Sequence, residues 1–353
     1  MLPLPRWSLN RKPAPCPCAE PLKDQCMFKH HSLLPALAGL LFIAGDSIRA
    51  DQIHQDFSSD PALSGWRTFG HTNLFARDST NQNLRVTWDS SKTNSYFLHP
   101  LGTVLAKDDD FNLAFELKLD DIAIGVDPNK PYTFQIAVGF INTADATRAN
   151  FLRGTGVDSP NLVELDYFPD SGFGATISPV LISRSNDFAY AFHVAELFTN
   201  VLYRVSLNYT ASNQALATVI TSNGVPIGPI ADAVLGTNFS DFRLDAVAVC
   251  SYSDAGQDPI FAGSILAHGA VDNIVVTVPE PPVRFVSGSF TNDAWRVTFK
   301  SDARWFYTLE RSADFNSWTN ASPDTPGNNS VLMLNDTNPP AAKAFYRVAA
   351  QRP

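Results

Sequence analysis

Glu164, Asp166, Phe168 and Asp170 stand at alternate positions in the segment NLVELDYFPDSG, and two of the first three carry carboxylates. In a regular strand all four side chains leave one face, while Val163, Leu165 and Tyr167 leave the other. Carboxylates set in so apolar a sequence need a partner, because burying one alone costs several kcal/mol. A divalent cation, a sugar hydroxyl or an arginine such as Arg153 or Arg184 would each satisfy them.

Other chemistry is thinly represented. His54, His71, His99, His193 and His268 have no ligand spacing between them, which argues against zinc. No Gly-Xaa-Ser-Xaa-Gly elbow and no phosphate-cradling glycine loop occurs. Lys107-Asp108-Asp109-Asp110 precedes a strong apolar alternation and reads as a solvated turn, with calcium as the sharper alternative. Trp66, Tyr96, Phe97, Phe173, Tyr190 and Phe192 offer faces on which a sugar could stack, although rings in such a chain more often belong to the core.

The elements that must carry these residues are strands. Leu84, Val86 and Trp88 alternate, as do Phe111 to Leu119, Phe134 to Phe140 and Tyr203 to Tyr209. Turn residues punctuate them at Asp127-Pro128-Asn129, Ser222-Asn223-Gly224 and Gly228-Pro229, and helical periodicity is nearly absent. The fold class is therefore all-β: a sandwich of two antiparallel sheets over residues 51–279, followed by a smaller β-sandwich over 283–353. Three prolines within residues 279–282 separate the two as a stiff spacer.

Composition bounds the function. With 44% hydrophobic and 17% charged residues in a chain of 353, there is ample material for a core. The net charge of −9 and the lack of a basic block exclude nucleic acid as a partner. Residues 1–50 read as an export segment. Ser32–Ala44 is an apolar run behind Lys29, His30 and His31, with Ile48-Arg49-Ala50 as the cleavage site and Met27 as the expected start. That run is shorter than the about 20 apolar residues a membrane span needs, so no transmembrane segment is expected in the mature chain. Without residues 1–50 the chain keeps 20 cationic and 32 acidic side chains, a charge of −12. Of four cysteines only Cys250 remains, so no internal disulfide is possible there, and its apolar strand position implies an inert buried thiol.

The Glu164 segment resembles the concanavalin A-like jelly rolls, which include the legume-type lectins and the laminarinase-type glucanases. In the lectins, a strand of pattern Val-Glu-Leu-Asp-x-aromatic-Pro-Asn supplies metal ligands. The resemblance implies a transition metal at Glu164 and Asp166. It implies Ca²⁺ at Asp166, the Phe168 carbonyl and Asp170, which stands where the pattern has Asn. The pattern then departs, because Ala175 and Val180 occupy two further ligand positions. In the glucanases the first Glu of the strand is the nucleophile and an acid follows four or five residues later, but Phe168 and Pro169 fill those places here. Asp170 lies about 20 Å from Glu164 along an extended strand. The opening DFSSDPALSGWRTFG and the ending HGAVDNIVVTV resemble those of laminin-G-like domains, whose first and last strands lie side by side. The segment YTLERSADFNSWTN and the ending FYRVAA resemble immunoglobulin- or fibronectin-like C-terminal modules of secreted bacterial proteins.

The expectation is a secreted, non-catalytic, lectin-like protein that binds a polysaccharide or cell-surface glycan with calcium assistance. Glu164, Asp166, Asp170 and Phe173 would meet the ligand. The alternatives are a divergent glycoside hydrolase or lyase using Glu164, and an adhesive extracellular module with no small ligand.

Overall fold

The computed structural model describes residues 51–154, 158–170, 172, 174–340 and 343–353. The expected export segment and Phe173 lie outside them.

The larger part is a jelly-roll sandwich of two antiparallel sheets. One sheet has nine strands. Its path runs Val225–Ile227, Ala215–Ser222, Leu202–Thr210, Phe111–Ile124, Ile265–Val278, Asn83–Asp89 and Phe75–Asp78. Ala233–Val234 joins Ala215–Ser222, and Asp51–Gln55 pairs with the far half of Ile265–Val278, Gln52 opposite Thr277. First and last strands of the sandwich are thus neighbours. Burial alternates strictly along Asn83–Asp89 and over Phe111–Asp120, the signature of a sheet with one packed and one wet face.

The second sheet has eight strands and behaves differently. Its path runs Phe188–Tyr190, Thr176–Ile182, Leu162–Phe168, Ile136–Ile141, Leu244–Ser251, Ser95–Leu105 and Arg67–Phe69, with His193–Val194 added beside Thr176–Ile182. Its central strands are buried on both faces. The inner face packs on the nine-stranded sheet through Val138, Val163, Leu165, Tyr167 and Leu181. The outer face carries small side chains in its middle, namely Ala137, Gly139, Ala246, Ala248 and Cys250. That thin floor leaves room for a cover.

The cover comes from two connections, through residues 142–154 and 158–161 of one and 252–264 of the other. Asn142 caps the short helix Thr143–Ala146 through Asp145 N–H at 3.0 Å. The Tyr96 hydroxyl donates to the Ala146 carbonyl at 3.1 Å. Asn94 ties both connections down: its amide donates to the Phe151 carbonyl and its oxygen accepts from Ser253 N–H, each at 2.8 Å.

Beyond Pro282 a smaller β-sandwich follows. One sheet has Arg284–Thr291, Ala294–Lys300 and Val331–Asp336; the other has four strands around Phe306–Ser312. Val297, Phe299, Trp305, Tyr307, Leu309 and Leu334 form a core of its own.

Candidate functional site

The Glu164 strand delivers its even-numbered side chains together, as alternation requires. Glu164 pairs with Gly139 on one side and Val180 on the other, and Asp166 with Ala137 and Ser178, so both carboxylates stand on the outer face. They do not stand in the open. Glu164 is 0% exposed and Asp166 4%, beneath Arg153, which is itself 2% exposed.

Arg153 is the hub of this cluster. Its Nη2 donates to Asp166 Oδ2 at 2.8 Å and also to Glu164 Oε1, while its Nη1 donates to Asp158. With its amide turned so that the oxygen faces Arg153, Gln135 accepts from Nε at 3.2 Å and Nη2 at 3.3 Å. The Tyr252 hydroxyl donates to Glu164 Oε2 at 2.7 Å, and the guanidinium lies 5.5 Å from the Tyr252 ring centre. A planar fork of five N–H donors suits this enclosure, where a point charge would leave acceptors unmet.

Three carboxylates around one cation leave excess negative charge. Burial raises the Asp166 carboxyl well above its ordinary value, and the Glu164 charge raises it further against the opposing pull of Arg153. Asp166 Oδ1 is buried without a hydrogen-bond partner among the described residues. Burial alone would lower the Arg153 guanidinium, but Glu164, Asp158 and Asp166 reverse that and hold it charged. Burial likewise raises the Tyr252 hydroxyl and the Cys250 thiol.

The structure gives these residues partners within the protein. Glu164 and Asp166, expected to meet a ligand, hold an arginine in a sealed layer. Asp170, expected beside Asp166 at a calcium ion, is exposed and caps Gly172 N–H at 3.0 Å. Phe168 ends the strand opposite Thr176. Of the residues assigned to Ca²⁺, Asp166 gives its Oδ2 to Arg153. Among the described residues, no group of three or more His, Cys, Asp or Glu is arranged to hold a metal. The Lys107–Asp110 turn is not simply solvated: Asp109 is buried, accepts Ala106 N–H at 2.9 Å and binds Arg304 and Arg352 of the smaller sandwich.

The aromatic candidates divide. Trp66, Tyr96 and Phe97 are core residues, with Trp66 stacked on Phe97 at 5.0 Å. Tyr190 and Phe192 are exposed and continue a row that starts at Phe188. Ring centres are 5.2 Å apart from Phe188 to Tyr190 and 4.7 Å from Tyr190 to Phe192. Phe188 and Tyr190 face Ile182 and Val180 across the outermost strand, so they share the outer face with Glu164. Phe188 was not among the sequence candidates. Its signal is the run Phe-Ala-Tyr-Ala-Phe, in which alternation puts alanines inside and rings outside.

No family model and no curated protein sequence matches this chain. Among solved structures it is similar to peanut lectin with a 9mer peptide, at 14% identity and TM-score 0.40, over 65% of this chain and 100% of that one. It is similar to the VIP36 exoplasmic/lumenal domain in a Ca²⁺/Man3GlcNAc-bound form, at 12% identity and TM-score 0.38, over 65% and 89%. It is also similar to Lotus tetragonolobus seed lectin, at 11% identity and TM-score 0.38, over 66% and 100%. The fold assignment rests on the strand pairing described above.

Proposed function

We propose that this protein binds glycans without cleaving them, at a cell surface or in an extracellular matrix after export, and that the contact is the ridge Phe188, Tyr190 and Phe192. One observation carries the reading. These rings are 46%, 49% and 62% exposed while Ala189 and Ala191 between them are buried. Strands ordinarily turn rings inward, where each buries a large apolar area. Three in a row facing water suit a ligand that has an apolar C–H face and hydroxyls at its rim. Because the ridge Phe188, Tyr190 and Phe192 carries no carboxylate, binding there is expected to survive chelation of calcium.

The test is retention of the chain on immobilised neutral polysaccharides, with and without EDTA. Retention that persists in EDTA and falls about tenfold or more in Tyr190→Ala/Phe192→Ala supports the reading. No retention on any polysaccharide removes it and leaves an adhesive module with no small ligand.

A second reading has one observation in its favour. Glu164 and Asp166 share one guanidinium nitrogen, so they lie within the about 6 Å that a retaining glycosidase needs, and Asp166 is pushed toward its acid form. Against it, no sugar reaches carboxylates sealed beneath Arg153 and Tyr252. Reducing-end release that Glu164→Gln abolishes would promote this reading, and release that survives Glu164→Gln would clear Glu164 of it.

A further inference from the structure

A second concavity lies at the opposite edge of the eight-stranded sheet from the aromatic ridge. It is a cleft of about 500 Å³ where the smaller sandwich meets the larger one, within the range of small-ligand sites. Arg67, Gly102 and Asp245 line it from the jelly roll, and Pro281, Pro282 and Trp305 from beyond the spacer.

A local break in the ladder builds this cleft. Ala246 pairs with Pro100 and Leu244 with Leu105, so residues 101–104 bulge out of the sheet opposite Asp245. Bulges of this kind re-aim side chains and are common beside sites. Gly102, at φ +70°, carries the turn, and a Cβ there would meet nothing within 4 Å. Val104 packs on the core of the smaller sandwich, and its carbonyl accepts Arg352 Nη1 at 3.0 Å. The bulge thus forms one wall and anchors the other.

The polar groups in the cleft are complementary and underused. Arg67 is exposed and makes no ion pair or side-chain hydrogen bond among the described residues. Asp245 Oδ1 accepts from the Thr143 N–H and hydroxyl, both at 2.7 Å. Its Oδ2 takes no hydrogen bond from the described residues. One cationic donor and one anionic acceptor therefore face an otherwise largely apolar cleft.

We infer that this cleft is a binding site for a neutral sugar residue, whose hydroxyls accept from Arg67 and donate to Asp245 while its C–H face lies on Pro281 and Pro282. The charges select that class. Among ligands with at most one charge, a carboxylate would gain Arg67 but oppose Asp245, an ammonium would do the reverse, and a neutral polyol uses both. The site does not depend on the aromatic ridge, and it is complete only when both sandwiches contribute.

The experiment is saturation-transfer NMR on the full chain with glucose, galactose, mannose and N-acetylglucosamine, and with glucuronate and glucosamine as charged controls. At least one neutral sugar should bind, with Kd near or below about 10 mM. Arg67→Ala should weaken it about tenfold, Asp245→Asn should weaken it too, and Tyr190→Ala/Phe192→Ala should leave it unchanged. Arg67 is exposed and unpaired, so its variant keeps the fold; unchanged unfolding in urea checks that. The inference is overturned if no neutral sugar binds, if Arg67→Ala binds as the parent does, or if glucuronate or glucosamine is the tighter ligand. Loss of polysaccharide retention in the ridge variant with monosaccharide binding intact separates this site from the ridge.

Discussion

The two sheets of the larger sandwich use the same charged residues to opposite ends. On the nine-stranded sheet Arg204 meets Glu116 at 2.8 Å and Arg85 meets Asp120 at 2.5 Å, with both arginines in water. On the eight-stranded sheet Arg153 meets Glu164 and Asp166 under two connections that exclude water. Pair geometry does not separate these cases, but cover does. A wet pair exchanges one set of partners for another of similar strength. A sealed one leaves uncompensated charge in a low-dielectric layer when either member is lost.

That contrast breaks most readily at its hub. Arg153→Met should cost about 3–5 kcal/mol in urea unfolding, because Glu164 would remain buried and charged. A loss below about 1 kcal/mol would mean that the cover admits water freely. Next is Gly139→Ala. A Cβ there would sit 2.3 Å from both Glu164 Cβ and the Val163 carbonyl oxygen, so the strands must part, and about 1–3 kcal/mol should be lost. If Gly139→Ala unfolds at the parent's urea midpoint, the close approach of the two strands is wrong.

Asp109→Ala probes an ion pair between sandwiches rather than within one. With Arg304 and Arg352 deprived of Asp109, about 1–3 kcal/mol should go, and trypsin should cut more readily near residue 284. An unchanged digestion pattern would assign the joint to Val104 and Trp305 instead.

The pH dependence sharpens the same contrast. Burial raises the Asp166 carboxyl, so the folded state keeps a proton that the unfolded chain releases. The resulting stabilisation is complete below about pH 4 and is lost as pH rises toward the folded value. Asp166→Asn has no such proton, so its stability relative to the parent should improve as pH rises above about 4. Parallel profiles would mean that Asp166 ionises in the fold. The smallest effect is expected on the wet sheet, where Arg204→Ala should cost less than about 1 kcal/mol, and a larger loss would erase the distinction between the sheets.

Much of this was readable from alternation. Leu84, Val86 and Trp88, and Phe111 to Leu119, face inward as their spacing requires, and the Glu164 strand does present its acids together. What alternation cannot report is the second layer over a face. Arg153 is a partner the sequence offers for the acids, but Tyr252 reaches Glu164, and Asp158 reaches Arg153, only through the folding of long connections. No short-range pattern ties those connections to the strand. Asp109 shows the same limit, since three adjacent acids read as a wet turn until a distant pair of arginines closes over one of them. The ridge was half legible: Tyr190 and Phe192 were candidates, yet so were Trp66, Tyr96 and Phe97. Only three-dimensional cover separates a ring that faces a sheet from one that faces water.

The thiol of Cys250 follows from the same layering. It lies on the floor of small side chains, in the row that runs through Tyr96, Ala137 and Asp166. An alkylating reagent can reach it only when the roof lifts, so mass labelling of that one sulfur would time the breathing of the buried layer. Slow modification alongside rapid deuterium uptake at the sheet edges would identify the roof as among the last parts of the sandwich to open.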